Sequence, residues 1–485
     1  MDQYIITIDI GTTSTKAFAF LPDGFVLASF HRTYPTSFSH LAAEQNPEEI
    51  FEAVKECVFR ILSQVIDNKL VAISFSSAMH SFMAVDADGK PTTPLFIWAD
   101  NRSEHQASKL KASPFGDKIY QLGGTPIHPM APICKLLWLR EEERDIFKKA
   151  AKFVSIKEYV LFKLTGEFAV DYSIVSATGL FDTKELQWNA EALDFCGITA
   201  TQLSTPYPPE QAFSLNAATA KVFDVDVPLI IGASDGCLAN LGSNATEVGS
   251  MAITIGTSGA VRMASSKFKT DALQRTFCYY LSVDTFIVGG ATNNGAVLLN
   301  WFSEYIQNNK QTAEAFVNDC FSVHSSEGLI FLPYVNGERA PVYDPDARGA
   351  YVGIAIHHTQ AHFKRAMLEG ICFAIKSIVN SVEAVVMPST NISVSGGFIQ
   401  SDKWVQLLCD ILGKPLYIDI SVDASSVGAA MLGFKALGIE RQFPKKAPTA
   451  FYPDKNKTTY FEKKYELFAS LYSALKSEFV KMKAL

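Results

Sequence analysis

An α/β fold of two similarly built lobes facing an interdomain cleft is the expectation for this chain, on three observations. First, its 485 residues with 48% hydrophobic content exceed what one hydrophobic core usually serves. Second, the cassette Ile8-Asp9-Ile10-Gly11-Thr12-Thr13-Ser14-Thr15-Lys16 returns as Ile253-Thr254-Ile255-Gly256-Thr257-Ser258-Gly259, about half the chain length later. Third, similar elements surround both copies. Each copy is an apolar run, then Gly with small hydroxyl residues, then an alternating run (Ala17 to Leu21; Ala260 to Met263), the pattern of a tight hairpin. One such turn would be ordinary, because Gly, Thr and Ser are common turn residues. Its return at that spacing points to internal duplication.

In order, Tyr4 to Ile10, Thr15 to Leu21 and Gly24 to Phe30 read as a three-strand meander, with Pro22-Asp23-Gly24 as the second turn. Asn46 then caps a helix that has Pro47 at its first position and Ile50, Val54, Cys57 and Val58 as its buried stripe. Leu70 to Phe75 is a parallel-type strand, followed at its end by Ser76-Ser77-Ala78-Met79-His80-Ser81, where open α/β sheets place ligands. Val227 to Ile231 is another buried strand, leading through Gly232-Ala233-Ser234-Asp235-Gly236 into a helix over Cys237 to Leu241. A boundary near Ser243 to Val248 divides the chain into lobes 1–244 and 245–485. The second lobe repeats the plan with strands Ser250 to Ile255, Ala260 to Met263 and Phe286 to Gly290, a helix from Gly295 to Ile306, and the strand Ile392 to Ser395 before Gly396-Gly397. The order βββαβ resembles half of an actin-like (ribonuclease H-like) ATPase.

A formal charge of −7 argues against a nucleic-acid surface, which needs a basic patch. The eight Cys include no C-x-x-C pair, so reduced, packed thiols and a cytoplasmic location are expected. No basic leader precedes the first strand and no apolar run approaches the roughly 20 residues that span a bilayer, so no membrane partner is expected. The Gly-Thr turns expose backbone N–H groups and hydroxyls that can line an anion-binding concavity, and two facing turns could hold a phosphate chain between them.

Several segments together resemble the FGGY carbohydrate kinase family, over nearly the whole chain. Met130-Ala131-Pro132-Ile133-Cys134-Lys135-Leu136-Leu137-Trp138-Leu139-Arg140-Glu141-Glu142 fits one family pattern, and Gly396-Gly397 through Asp402, Gln406, Leu412 and Gly413 is similar to the other. Trp98 to Arg102, Gly232 to Gly236, Asn336 to Pro341 and Ser426 to Ala430 add to the likeness. The segments 76–81, 97–103 and 124–130 are most similar to members acting on the sugar acid D-gluconate, with ketopentose kinases the alternative and an actin-like ATPase a more distant one. The resemblance implies ATP and Mg2+ as cofactors and a small-molecule sugar acid as substrate, and is compatible with a homodimer.

Phosphoryl transfer needs a positioned hydroxyl and charge stabilisation more than covalent chemistry. On this resemblance Asp235 is the general base, where its position alone would equally suit a helix N-cap. Asp9, at the end of the first strand, suits magnesium or a turn cap. Thr12 and Lys16 would touch the phosphates from the first lobe, and Gly256 and Thr257 from the second, although a strand Lys commonly points to solvent. Gly295, Gly397 and Ser401 would lie at the nucleotide, the glycines permitting close approach or serving packing; Ser401 stands where relatives often have Asn. His80, Trp98, Asp100, Arg102 and His128 would recognise the sugar, with Arg102 forking its carboxylate and either His donating to it, or each would serve structure. Glu338 and Arg339 are expected to form an internal ion pair that shapes the cleft.

Overall fold

A computed structural model describes residues 2–418, 423–440, 443 and 448–483. The first sheet contains β1 (Gln3–Ile10), β2 (Ser14–Phe20), β3 (Val26–Thr33), β4 (Lys69–Ser77) and β5 (Leu229–Ser234). The second contains β6 (Ser250–Ile255), β7 (Gly259–Ser265), β8 (Phe277–Ser282), β9 (Thr285–Thr292), β10 (Asn391–Ser395), β11 (Leu416–Ile418) and β12 (Thr449–Phe451). The strand orders β5-β4-β1-β2-β3 and β11-β10-β6-β7-β9 match position for position, with the meander antiparallel and the added strands parallel in both. β8 extends the second sheet beyond β9.

The meander arises where each turn is chemically supplied. Gly11 N–H donates to the Ser14 carbonyl at 3.0 Å and Gly256 N–H to the Ser258 carbonyl at 2.9 Å. The first turn is one residue longer, since Ile10 faces Thr15 whereas Ile255 faces Gly259. β3 starts two residues later than expected because the turn after Leu21 runs through Phe25, whose carbonyl accepts the Leu21 N–H. Helix α1 (Pro47–Gln64) begins as its sequence dictates, with the Asn46 side chain accepting the Glu48 N–H at 3.0 Å and Ile50, Val54, Cys57, Val58 and Ile61 buried.

Between β4 and β5 lies an insertion of short helices that includes α2 (Pro114–Gly123) and α3 (Pro132–Glu142), with its own core around Ile119, Ile133, Leu136 and Leu139. The two lobes meet at α4 (Asp235–Gly242) and α5 (Ala424–Ala436), which cross so closely that a Cβ on Gly428 would stand 2.0 Å from the Leu238 carbonyl oxygen and one on Gly242 1.9 Å from that of Ala424. α5 comes from the second half of the chain, yet it packs on β1 and β4, and Ser74 Oγ donates to the Ala429 carbonyl at 2.8 Å. One apolar cluster therefore joins Ile5, Ile230 and Leu238 to Tyr279, Ile287 and Ala429. The helix expected over 295–306 divides into a short α-helix, Val297–Trp301, and a π-helical turn, Phe302–Ile306. All eight cysteines are buried free thiols, and among the described residues no helix is long and apolar enough to cross a membrane.

Candidate active site

The ends of β4, β5 and the β6–β7 turn converge on a cavity of about 210 Å³ between the lobes. This is smaller than sites for drug-sized ligands, which run to roughly 300–1,000 Å³, and suits a compact polyol. Thr12, Met79, His80, Trp98 and Asp235 line it from the first half of the chain, and Ser258, Arg262, Tyr279, Arg339 and Tyr343 from the second.

Asp235 opens α4, but it does not cap it, because Ser234 Oγ accepts the Cys237 N–H. The Asp235 Oδ1 accepts only its neighbour Gly236 N–H at 2.6 Å, and Oδ2 accepts no hydrogen bond among the described residues. Burial raises its pKa, and the cation of Arg262 opposes that rise. Arg262 itself has no ion-pair partner within 4 Å among the described residues. The carboxylate thus meets the cavity with an oxygen available to a proton.

Asp9 sits behind the first turn, buried, with Oδ1 accepting from Ser76 Oγ at 2.6 Å and Oδ2 from Ser425 Oγ at 2.9 Å. Burial, then the neighbouring carboxylates of Asp423 and Asp235, push its pKa up to about 6. Such crowded negative charge with hydroxyl neighbours suits a hard divalent cation that keeps its waters. Among the described residues no group of three or more His, Cys, Asp or Glu side chains forms a ready-made metal cage.

His80 adopts φ of +67°, which aims its ring into the cavity from a backbone conformation that non-glycine residues rarely occupy. Its Nδ1–H donates to the Ala177 carbonyl at 3.0 Å, leaving Nε2 as an acceptor facing Tyr279 Oη at 3.4 Å. Burial depresses its pKa to about 3. The neutral ring therefore accepts a hydrogen bond on Nε2, where donation was the expectation. Between pH 5 and 8 substrate affinity should show no titration attributable to His80, which His80→Gln tests: a pH-dependent KM that flattens in this variant would contradict it.

Other sequence expectations meet local chemistry that uses them elsewhere. Arg102 forks onto Asp100, pairs with Glu44 at 2.8 Å and lies 4.3 Å over the Phe96 ring; Asp100 is filled by that fork and by the Ala43 N–H. Neither lines the cavity. His128 accepts the Met130 N–H on Nδ1 and packs edge-on against Tyr343, behind the cavity wall. Lys16 pairs with Asp423 at 2.7 Å, linking β2 to the start of α5. Gly295 is buried under the second turn, and a Cβ there would stand 2.6 Å from the Gly256 carbonyl oxygen; packing explains this glycine. Ser401 caps the helix Asp402–Leu412 through the Trp404 N–H. Gly256 and Gly397 have nothing within 4 Å of where a Cβ would stand, and Thr257 is exposed beside them, so these three face open space.

The second half of the chain brings to the cavity Arg262, which sequence reasoning missed, and Arg339, which it had expected in an ion pair. Glu338 is fully buried and accepts from Thr292 Oγ1, the Asn293 N–H and the Arg339 backbone N–H, while the Arg339 guanidinium turns away to lie 4.6 Å over Trp98. The expected ion pair does not form, because consecutive residues on extended backbone face opposite sides. Arg262 follows the same logic: Val261 and Met263 enter the core, so the residue between them faces the cleft. Alternation was the signal that could have found both.

Lys135 acts from beneath. Its Nζ donates to the His80 and Ile97 carbonyls, each at 2.6 Å, tying together the loops that carry His80 and Trp98. Burial lowers its pKa to about 7. A depressed lysine penalises the fold in full below about pH 7, and the penalty shrinks as pH rises towards the unfolded value. Lys135→Met leaves the buried His80 carbonyl without its donor, while the Ile97 carbonyl keeps the Asp100 N–H, and is expected to cost about 2 kcal/mol while raising the substrate KM. Thermal unfolding beside KM checks this; a variant unchanged in both would contradict the tie.

The description "FGGY family of carbohydrate kinases, N-terminal domain" matches residues 4–242, and the corresponding C-terminal domain matches residues 251–437. A gluconokinase from Bacillus subtilis (strain 168) is 42% identical over 453 residues, spanning 90% of this chain and 88% of the relative. Among solved structures, a gluconate kinase from Lactobacillus acidophilus matches with a TM-score of 0.94 at 33% identity, covering 99% of this chain and 100% of that one. A ligand-bound xylulose kinase from Lactobacillus acidophilus matches with the same TM-score, identity and coverage.

Proposed function

The chain belongs to the FGGY family of carbohydrate kinases, and from that premise we propose that it transfers the γ-phosphoryl group of ATP to the terminal hydroxyl of D-gluconate, giving 6-phospho-D-gluconate. The observation that carries the reading is the Asp235 carboxylate, which enters a polyol-sized cavity with Oδ2 free of protein donors. The likeness to the Bacillus subtilis gluconokinase supports the choice of sugar.

In this mechanism the substrate hydroxyl donates its proton to Asp235 as its oxygen attacks in line, a role worth about 100- to 10,000-fold in rate. Arg262, beside Gly236, favours the ionised carboxylate against the effect of burial and faces the charge that develops on the moving group. His80 Nε2 accepts from a sugar hydroxyl, and Trp98 forms an apolar wall. Thr12 from the first turn, with Gly256 and Thr257 from the second, would receive the phosphate chain. The nucleotide base would lie along the open face at Gly397, with Ser401 contributing as the helix cap behind it. Asp9, which has no ion-pair partner within 4 Å among the described residues, would hold Mg2+, and the ion would supply positive charge to the phosphate chain there.

The test is coupled ADP release with MgATP across gluconate, xylulose, ribulose, glycerol and no sugar. Gluconate-dependent turnover well above the others is expected. The equal match to the xylulose kinase structure favours a ketopentose kinase as the second reading, and xylulose-dependent turnover in the same panel would replace the first with it.

A further inference from the structure

We propose that Arg339 and Tyr343 form the anchor for the substrate's carboxylate, setting the enzyme's preference for an acidic sugar over a neutral one. The inference rests on the gluconate reading and adds the residues that distinguish that substrate from a polyol.

Both side chains line the cavity and both carry an unused donor. Arg339 is only 9% exposed and its Nε is buried with no hydrogen-bond partner, while one Nη donates to the Thr292 carbonyl at 3.1 Å. The Tyr343 hydroxyl is likewise buried without a partner. A buried donor left unpaired costs about 1–3 kcal/mol, so two at one cavity mark a place that a ligand completes. Their positions are fixed by a tight turn, in which the Tyr343 N–H donates to the Arg339 carbonyl at 2.5 Å. Burial also raises the Tyr343 pKa, keeping the phenol protonated and able to donate.

The remaining cavity groups take other parts. Arg262 lies beside Asp235 at the reacting end, and its charge acts on that carboxylate more strongly than that of Arg339 does. His80 offers only an acceptor on Nε2, which a carboxylate would repel. Arg102 is committed to Asp100 and Glu44. Arg339 meets no carboxylate within 4 Å among the described residues; the Glu338 charge acts on it only from beyond that distance, and its guanidinium, stacked on Trp98, is held in place to receive a carboxylate. An extended six-carbon acid would then place its carboxylate at Arg339 and its far hydroxyl at Asp235.

Calorimetric binding of gluconate and of glucitol, which replaces the carboxylate by a hydroxymethyl group, tests this in wild type, Arg339→Met and Tyr343→Phe. Wild type is expected to favour gluconate, Arg339→Met to lose about 100-fold in gluconate affinity and Tyr343→Phe about 10-fold, with glucitol changing less than threefold. Equal losses for both ligands, or a wild type that binds both alike, would overturn the anchor. Wild type that prefers gluconate in binding but fails to phosphorylate it would remove the proposed reaction and leave the anchor to be decided by the same variants. Tyr343→Phe retains the packing volume, so it reads the hydroxyl even where Arg339→Met unfolds.

Discussion

Asp235→Asn is expected to lower kcat with gluconate by about 1,000-fold while leaving KM within a few-fold. Asparagine keeps the shape of the side chain and its contact with the Gly236 N–H, but it cannot accept the hydroxyl proton. Stability should barely move, because two effects oppose each other. The Asp235 pKa is raised above its unfolded value by burial, so its ionised form destabilises the fold: that group's contribution is full below the unfolded pKa and is lost as pH rises through the folded one. Substitution removes this penalty, yet it also removes the charge that favours the buried Arg262 cation. Wild-type kcat/KM should fall on the acid side as Asp235 is protonated, above the ordinary carboxylate range, and the variant's residual rate should lack that limb. Turnover in Asp235→Asn above a tenth of wild type would place the base elsewhere.

Gly428→Ala is expected to be strongly disruptive for so small a substitution, lowering stability by about 3 kcal/mol. The new methyl would stand 2.0 Å from the Leu238 carbonyl oxygen, and backbone of a facing helix cannot step aside as a side-chain tip can. The reciprocal contact at Gly242, 1.9 Å from the Ala424 carbonyl oxygen, leaves no slack on the other side. Because α4 and α5 join the lobes, any separation of the helices would also alter how Asp235, at the start of α4, faces the second turn. Chemical denaturation and gluconate-dependent kcat should therefore fall together. An unchanged denaturation midpoint would show that the crossing is looser than these distances imply.

The two-lobe plan was legible because local chemistry fixes the meanders. Apolar runs of six to eight residues interrupted by Gly-Thr turns specify hairpins without help from distant residues, and the matching strand orders of the two sheets follow from the repeated pattern. The insertion after β4 was not legible to the same degree, since its helices are short and owe their burial to one another. Thr12, His80, Trp98 and Asp235 line one cavity; Thr12, His80 and Asp235 follow strands of the first sheet, whereas Trp98 follows the short strand Leu95–Phe96 of a separate small sheet. Arg102 and Asp100 were placed on substrate because two opposite charges two positions apart cannot be told, from spacing, from charges awaiting a ligand; folding lets them satisfy each other.

The sequence by itself determined the duplicated α/β plan, the two Gly-Thr turns and a carboxylate at a strand end, because turn propensity and hydrophobic period act over a few residues. Only the tertiary structure decided which charges face the cleft. Arg262 enters it by strand alternation and lies beside Asp235, and Arg339 enters it from the turn that ends at Tyr343, whereas Lys16 is consumed by Asp423, more than 400 positions away. The physical reason is that a charge's role depends on its nearest partner across space, and partners brought together by the α4–α5 crossing leave no mark in local spacing.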